Sequence, residues 1–141
     1  MKVISLFSGC GGLDLGFERA GFEIPIANEF DKTIWETFKV NHPKTKLIEG
    51  DIRNIKESDF PDEIDGIIGG PPCQSFSLAG NRHVEDARGQ VVWRYIDIIK
   101  HVKPKAFVFE NVTGLLSAKN SEKESIVELL KKAFQDIGYT V

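Results

Sequence analysis

One thiol in this sequence stands where a thiol could react. In Gly69-Gly70-Pro71-Pro72-Cys73-Gln74-Ser75-Phe76-Ser77 two prolines fix the backbone just before Cys73, and two glycines leave room for a ligand to come close. A cysteine held there, at the start of a polar loop, is placed to act as a nucleophile rather than to pack. Glu110 closes the apolar run Phe107-Val108-Phe109. Partial desolvation is expected for it, which raises a carboxyl pKa and suits the group to donating a proton. A third constellation lies near the N-terminus, where Gly9-Cys10-Gly11-Gly12 follows another apolar run. A glycine loop entering a helix exposes N–H groups that favour an anion. Gly9 and Gly11 fit dinucleotide spacing, but the third glycine is replaced by Asp14, a carboxylate that would repel a pyrophosphate. The loop therefore suits a smaller ligand ending in one carboxylate, such as S-adenosylmethionine.

Two further acids extend that site. Glu29 lies twenty residues after Gly9, the spacing at which an acid can hold ribose hydroxyls. Phe30 beside it could lie against the adenosine, and Asp51 in Gly50-Asp51-Ile52 could accept a hydrogen bond from an adenine amino group. Taken singly, the glycines read as a tight turn and each acid as a solvated strand end. Taken together they read as a cofactor site. Cys10 reads as a small loop filler with only its backbone near the cofactor, His83 as solvent-exposed, and Trp35 and Trp93 as packing residues.

The elements that must position these groups alternate. Val3–Ser8, Phe22–Asn28, Lys46–Glu49, Ile64–Gly69 and Ala106–Phe109 read as strands. Leu13–Ala20, a stretch capped by Asp31 and closed by Pro43, and Val91–Val102 read as helices, as does a stretch opened by the capping box Ser121-Glu122-Lys123-Glu124. Tyr139–Val141 would begin a sixth strand. Such alternation implies an α/β fold with a mostly parallel sheet and helices on both faces. Ligands in such sheets bind beyond the carboxyl ends of the strands, which is where the glycine loop, Glu29, Asp51, Cys73 and Glu110 fall.

Bulk properties bound this reading without supplying it. The 141 residues allow one domain, and 41% hydrophobic with 28% charged residues is ordinary for a globular chain. Two cysteines make neither a zinc framework nor a secreted disulfide scaffold, so no metal is expected. No apolar run approaches a membrane span, and Met1-Lys2-Val3-Ile4 enters a strand pattern at once, so a cytoplasmic protein is expected. The net charge of −3 argues against extensive phosphate contacts.

In order and spacing these stretches resemble the bacterial DNA cytosine carbon-5 methyltransferases of restriction–modification systems. Ser5–Phe17 is similar to the family's first motif, Asn28-Glu29-Phe30-Asp31 and Gly50-Asp51-Ile52 to its second and third. Gly70-Pro71-Pro72-Cys73-Gln74 is similar to its catalytic Pro-Cys-Gln, Asp86-Ala87-Arg88-Gly89 to its Asp-x-Arg-Gly, and Glu110-Asn111-Val112 to its Glu-Asn-Val. Ser5 replaces an acid often found there, and Val91-Val92 replaces a bulkier Leu-Phe.

The resemblance implies a Rossmann-like S-adenosylmethionine-dependent methyltransferase fold, with residues 1–141 as the catalytic and cofactor-binding domain. It implies Cys73 and Glu110 as catalytic residues. It places Phe7, Ser8, Gly9, Cys10, Gly11, Gly12, Glu29, Phe30, Asp51, Ile52, Gly70, Pro72 and Val91 around S-adenosylmethionine. It brings Ser75, Ser77, Arg82 and Arg88 to double-stranded DNA carrying a flipped cytosine. The family continues with a Gln-x-Arg-x-Arg motif, a target-recognition region and a final motif, all beyond Val141. The domain is therefore expected to be incomplete, truncated before the sixth strand, inactive alone, and completed in cis or in trans. Competing readings are a tRNA cytosine methyltransferase of the same family, a non-catalytic cofactor-binding remnant, and a nicotinamide-dependent dehydrogenase, which Asp14 disfavours.

Overall fold

Short apolar runs separated by amphipathic stretches bury both faces as a parallel sheet between helices. The computed structural model describes residues 1–72, 89–120 and 122–141. The elements are β1 (Lys2–Leu6), α1 (Gly12–Arg19), β2 (Glu23–Glu29), α2 (Trp35–Asn41), β3 (Lys46–Glu49), β4 (Gly66–Gly69), α3 (Gly89–Val102), β5 (Ala106–Phe109) and α4 (Ile126–Asp136). Single 3-10 turns occupy Ile52–Asn54, Glu57–Asp59 and Thr113–Ser117. The strand order is β3-β2-β1-β4-β5, and every pairing is parallel.

Adjacent residues of one strand serve opposite faces. Ile4 and Ile67 join Tyr95 and Ile99 of α3 and Ile126, Leu130 and Phe134 of α4, whereas Val3, Ile24 and Ile68 pack against Phe17 and Phe22. Burial on both sides explains why Gly66-Ile67-Ile68-Gly69 shows no polar alternation. Tyr95 is fully buried, and its hydroxyl donates to the Val108 carbonyl at 3.0 Å, which fastens α3 to β5. Burial pushes its phenol well above the usual range.

Several boundaries differ from expectation, each for a local reason. β1 ends at Leu6 because Phe7 turns into the left-handed region with φ +57°. Asp31 does not cap α2 but closes a turn, its Oδ1 accepting from the backbone N–H (2.9 Å) and hydroxyl (2.7 Å) of Thr33. The expected capping box does not open α4. Ser121 lies outside the described residues, and Asn120 gathers the turn instead. Its Oδ1 accepts from the N–H groups of Glu122 (3.0 Å) and Glu124 (2.9 Å), and α4 starts only at Ile126. Tyr139–Val141 forms no strand. The Tyr139 hydroxyl donates to the Pro104 carbonyl at 2.7 Å and its ring stands edge-on to Phe107, which packs this segment against β5. Among the described residues the outer edge of β5 therefore stays open, beside a groove lined by Phe109, Leu115, Leu116, Leu130 and Phe134. No described helix is long and apolar enough to cross a membrane.

Candidate active site

The register sets the strand ends level. Leu6 pairs with Asn28 on one side and Gly69 on the other, Glu29 with Glu49, and Gly69 with Phe109. The residues that follow these positions form one edge of the sheet. The glycine loop, Glu29 with Phe30, Asp51, Gly70 with Pro71 and Pro72, and Glu110 all emerge there. Cys73, Ser75, Ser77, Arg82, His83 and Arg88 lie outside the described residues.

The glycine loop is shaped by left-handed backbone. Phe7 (φ +57°), Gly9 (φ +57°) and Gly11 (φ +86°) alternate with ordinary residues. A bulky residue in that region costs about 1–3 kcal/mol and is found where a site requires it. Ser8 donates its N–H to the Asn28 carbonyl (3.0 Å) and accepts from the Gly11 N–H (2.9 Å), while its buried hydroxyl has no hydrogen-bond partner among the described residues. Cys10 is exposed, so its thiol fills no space in the loop. Its carbonyl accepts from the Asn41 side chain at 3.1 Å.

Glu29 is buried and organises the loop directly. One carboxylate oxygen accepts from the Gly9 N–H at 2.8 Å, and the other from the Asp31 N–H at 2.7 Å. The Trp35 indole donates to the Glu29 carbonyl at 3.0 Å, a positioning role that reading Trp35 as packing alone missed. Asn28, also buried, donates to the carbonyls of Ile48 (2.8 Å) and Gly50 (2.9 Å), which fixes the turn carrying Asp51. Phe30 is 69% exposed and offers a free ring face beside Glu29. Asp51 accepts from the backbone N–H and guanidinium of Arg53, which holds its carboxyl below the usual range. Ile52 is buried in the main core, and Val91 packs against the same cluster.

Three expectations are corrected here. Glu110 is exposed among the described residues, so the desolvation expected from Phe107-Val108-Phe109 is absent: a strand end leaves the sheet as it leaves the apolar run. Gly69 makes room for backbone rather than for a ligand, and Gly70 for the end of the Glu110 side chain. A Cβ at Gly69 would lie 2.5 Å from the Leu6 carbonyl oxygen, and one at Gly70 would lie 2.5 Å from Glu110 Oε2. Asp14 faces no ligand, because it is 0% exposed beneath the loop in the first turn of α1. Burial pushes its carboxyl above the usual range; Ser5 pulls the other way without completing a hydrogen bond.

The sequence assigns no individual role to two residues that shape the site. His42, 2% exposed, places Nε2 3.0 Å from the Gly11 carbonyl oxygen and Nδ1 3.0 Å from Glu18 Oε2, with its ring stacked on Phe38. Asn111 donates to the Pro71 carbonyl at 2.8 Å, which ties the segment after β5 to the backbone two residues before Cys73. The available signals were the place of His42 at the end of α2 and of Asn111 within Glu110-Asn111-Val112.

Residues 1–141 match the family of C-5 cytosine-specific DNA methylases. The type II methyltransferase M.NgoPII of Neisseria gonorrhoeae is 66% identical over all of this chain and 41% of its own length. M.FnuDI of Fusobacterium nucleatum, also a type II methyltransferase, is 56% identical over all of this chain and 40% of its own. The chain thus spans about two fifths of the length of these curated relatives. Among solved structures, an E. coli prophage-encoded protein assigned as a DNA modification methyltransferase superposes with a TM-score of 0.73 at 35% identity, covering 96% of this chain and 37% of that one. S. pombe Dnmt2, at 23% identity and TM-score 0.71, covers 99% of this chain and 41% of its own, and shares the Rossmann-like fold. The family match sets the dehydrogenase reading aside, and on sequence and fold alike this chain belongs to the C-5 cytosine-specific DNA methylase family.

Proposed function

We propose that residues 1–141 form the catalytic and cofactor-binding part of a cytoplasmic restriction–modification enzyme. Its reaction is transfer of a methyl group from S-adenosylmethionine to carbon 5 of cytosine in double-stranded DNA. The observation that carries this reading is the convergence, at one edge of a parallel sheet, of the glycine loop, Glu29, Asp51, Glu110 and the Gly70-Pro71-Pro72 approach to Cys73. The residues present suit the cofactor. The Ser8 hydroxyl is buried beside the loop without a hydrogen-bond partner among the described residues. Glu29 spends one bond per oxygen on backbone N–H groups, and a carboxylate offers about four acceptor sites, so capacity remains for ribose hydroxyls. The backbone of Phe7–Gly12 would hold the methionine end, with Phe30, Ile52 and Val91 against the adenosine and Gly70 and Pro72 closing the pocket.

Bound S-adenosylmethionine supplies an electrophilic methyl group. The chain's own residues do the rest. The Cys73 thiolate adds to carbon 6 of a flipped cytosine, which turns carbon 5 into a nucleophile. Glu110 donates to the ring nitrogen and holds the amino group. After methylation water takes the carbon 5 proton, the carbon 5–carbon 6 double bond reforms as the carbon 6–sulfur bond breaks, Cys73 departs as thiolate, and the ring-nitrogen proton returns to Glu110. Gly70 leaves the Glu110 carboxyl its place, and Asn111 fixes the backbone leading to Cys73. Ser75, Ser77, Arg82 and Arg88 are assigned to the DNA strand. At net charge −3 this part has little with which to attract phosphates, so most DNA contacts, and activity, are assigned to the remaining length supplied in cis or in trans.

The test uses the complete protein and duplex DNA containing 5-fluorocytosine, which traps the adduct. Mass spectrometry should map it to Cys73. Cys73→Ala should abolish methyl transfer, and Cys10→Ala should leave most of it. An adduct at any other residue refutes the assignment. Transfer to tRNA but not DNA would move the substrate to RNA, and cofactor binding without any adduct would leave a non-catalytic remnant.

A further inference from the structure

The glycine loop has a protein side and an open side. A Cβ at Gly9 or Gly12 would meet no described atom within 4 Å, whereas one at Gly11 would strike the His42 ring. On the protein side the last residue of α2 and the residue after it hold two successive carbonyls. The Asn41 side-chain amide donates to the Cys10 oxygen at 3.1 Å, and His42 Nε2 lies 3.0 Å from the Gly11 oxygen. A trans peptide sets its carbonyl and its N–H on opposite sides. Drawing the Gly11 carbonyl towards α2 therefore turns the Gly12 N–H away from α2. As the first residue of α1, Gly12 has no intrahelical carbonyl for that N–H to meet.

His42 donates to the Gly11 carbonyl only if Nε2 carries a proton, and its other nitrogen faces Glu18 Oε2 at 3.0 Å. A neutral imidazole has one N–H and an ionised carboxylate has none, so the two contacts together need one proton more. An imidazolium supplies it. The other charged group turned towards the ring is Asp14, also on α1, whose burial raises its carboxyl above the usual range. Phe38 stacks on the ring from α2, and the hydrogen bonds and ion pairs of the described residues bring no cation to it.

We propose that His42 is a positioning residue for the cofactor: as an imidazolium bridging Glu18 and the Gly11 carbonyl, it keeps the Gly12 N–H aimed at the ligand's carboxylate. The proposal rests on the reading of Phe7–Gly12 as the seat of the methionine end. When the extra proton is lost to solvent, the remaining N–H goes to the charged acceptor, because charge-assisted hydrogen bonds are about twice as strong as neutral ones. Nδ1–H then faces Glu18, and the Nε2 lone pair is left against the Gly11 oxygen. Two acceptors in contact repel, so the loop eases away from α2 and holds the cofactor less tightly. The Leu15 N–H still donates to the Gly11 carbonyl at 2.9 Å, so the loop loosens rather than unfolds.

The experiment measures calorimetric affinity of the complete protein for S-adenosylhomocysteine from about pH 5.5 to about pH 8, within the range where histidine changes charge. Wild type should bind about two- to tenfold more weakly at the upper end, the scale of one hydrogen bond. Glu18→Gln removes the charged acceptor, and its amide can donate to Nδ1 and so favour the Nε2–H tautomer. It should match wild type at low pH and keep that affinity at high pH. His42→Phe keeps a ring on Phe38 but has no donor, and should bind weakly at every pH. His42→Gln, whose amide can reach the Gly11 carbonyl, should recover most of the affinity with a flat profile. Nitrogen NMR of the wild-type ring should follow the same transition, with both nitrogens protonated where binding is tight and the Nδ1–H tautomer where it is weak. A neutral ring where binding is tight, or a Glu18→Gln profile that falls as wild type does, overturns the proposal. If wild type binds no S-adenosylhomocysteine at any pH, the cofactor reading fails and takes the proposal with it. If it binds with a flat profile and a neutral ring, that reading stands and His42 only packs.

Discussion

Gly11→Ala tests how rigidly the glycine loop is built. Gly11 has φ +86°, and an added Cβ would lie 1.9 Å from His42 Nε2 and 2.3 Å from Cδ2. The left-handed backbone alone costs a residue with a Cβ about 1–2 kcal/mol. The collision cannot be relieved cheaply, because the imidazole is 2% exposed, stacked on Phe38 at 4.7 Å, and held between Gly11 and Glu18. Both partners are acceptors, so a neutral imidazole donates to one of them, and moving it forfeits at least that bond, about 0.5–1.5 kcal/mol, within an overpacking cost of about 1–3 kcal/mol. These last two overlap, so with the backbone cost the expected loss is about 2–5 kcal/mol by chemical denaturation. Gly9→Ala is the internal control: φ is +57° but nothing lies within 4 Å of the added Cβ, so only the backbone cost applies. In a His42→Ala background Gly11→Ala should likewise fall back to about 1–2 kcal/mol, since the clash has gone. If Gly11→Ala costs no more than Gly9→Ala, or costs the same with and without His42, the imidazole is not fixed against the loop.

Two further outcomes are expected. Glu29→Gln keeps one accepting oxygen and sets an NH2 group against a backbone N–H, so cofactor affinity by calorimetry should fall by about 1.5–3 kcal/mol; equal affinity for variant and wild type would remove the ribose role. Asp14 has a folded pKa raised by burial. Its stabilising contribution is therefore complete below the unfolded value of about 3.9 and is lost as pH rises through the folded value. Asp14→Asn should raise stability near neutral pH relative to wild type with little gain near pH 4, and the same difference at both pH values would contradict a buried, reluctantly ionised carboxyl.

Reading the chain alone located the candidate site because its frame is local. An apolar run that stops at glycines, a helix with a 3.6-residue period and the next apolar run together dictate a parallel βα unit. The level strand ends then follow from pairing Leu6 with Asn28 and Gly69. What the reading missed is decided by which group reaches an acceptor first, and no period encodes that. Glu110 follows three apolar residues, yet among the described residues β5 is the open edge of the sheet and Glu110 is exposed. The spacing of Gly9 and Gly11 suggests a ligand-facing Asp14, but the third residue of a helix entering beneath a loop can point inward. The backbone that Gly69 yields to, at Leu6, is tens of residues away in sequence, so its close approach has no local signature. The Asp51–Arg53 pair is the instructive exception, since its partners are two residues apart and both were in view. Arg53 already donates to both Asp51 oxygens, which the residue types alone do not reveal. Occupancy of acceptors, as well as identity of side chains, decides how much capacity a residue keeps for a ligand.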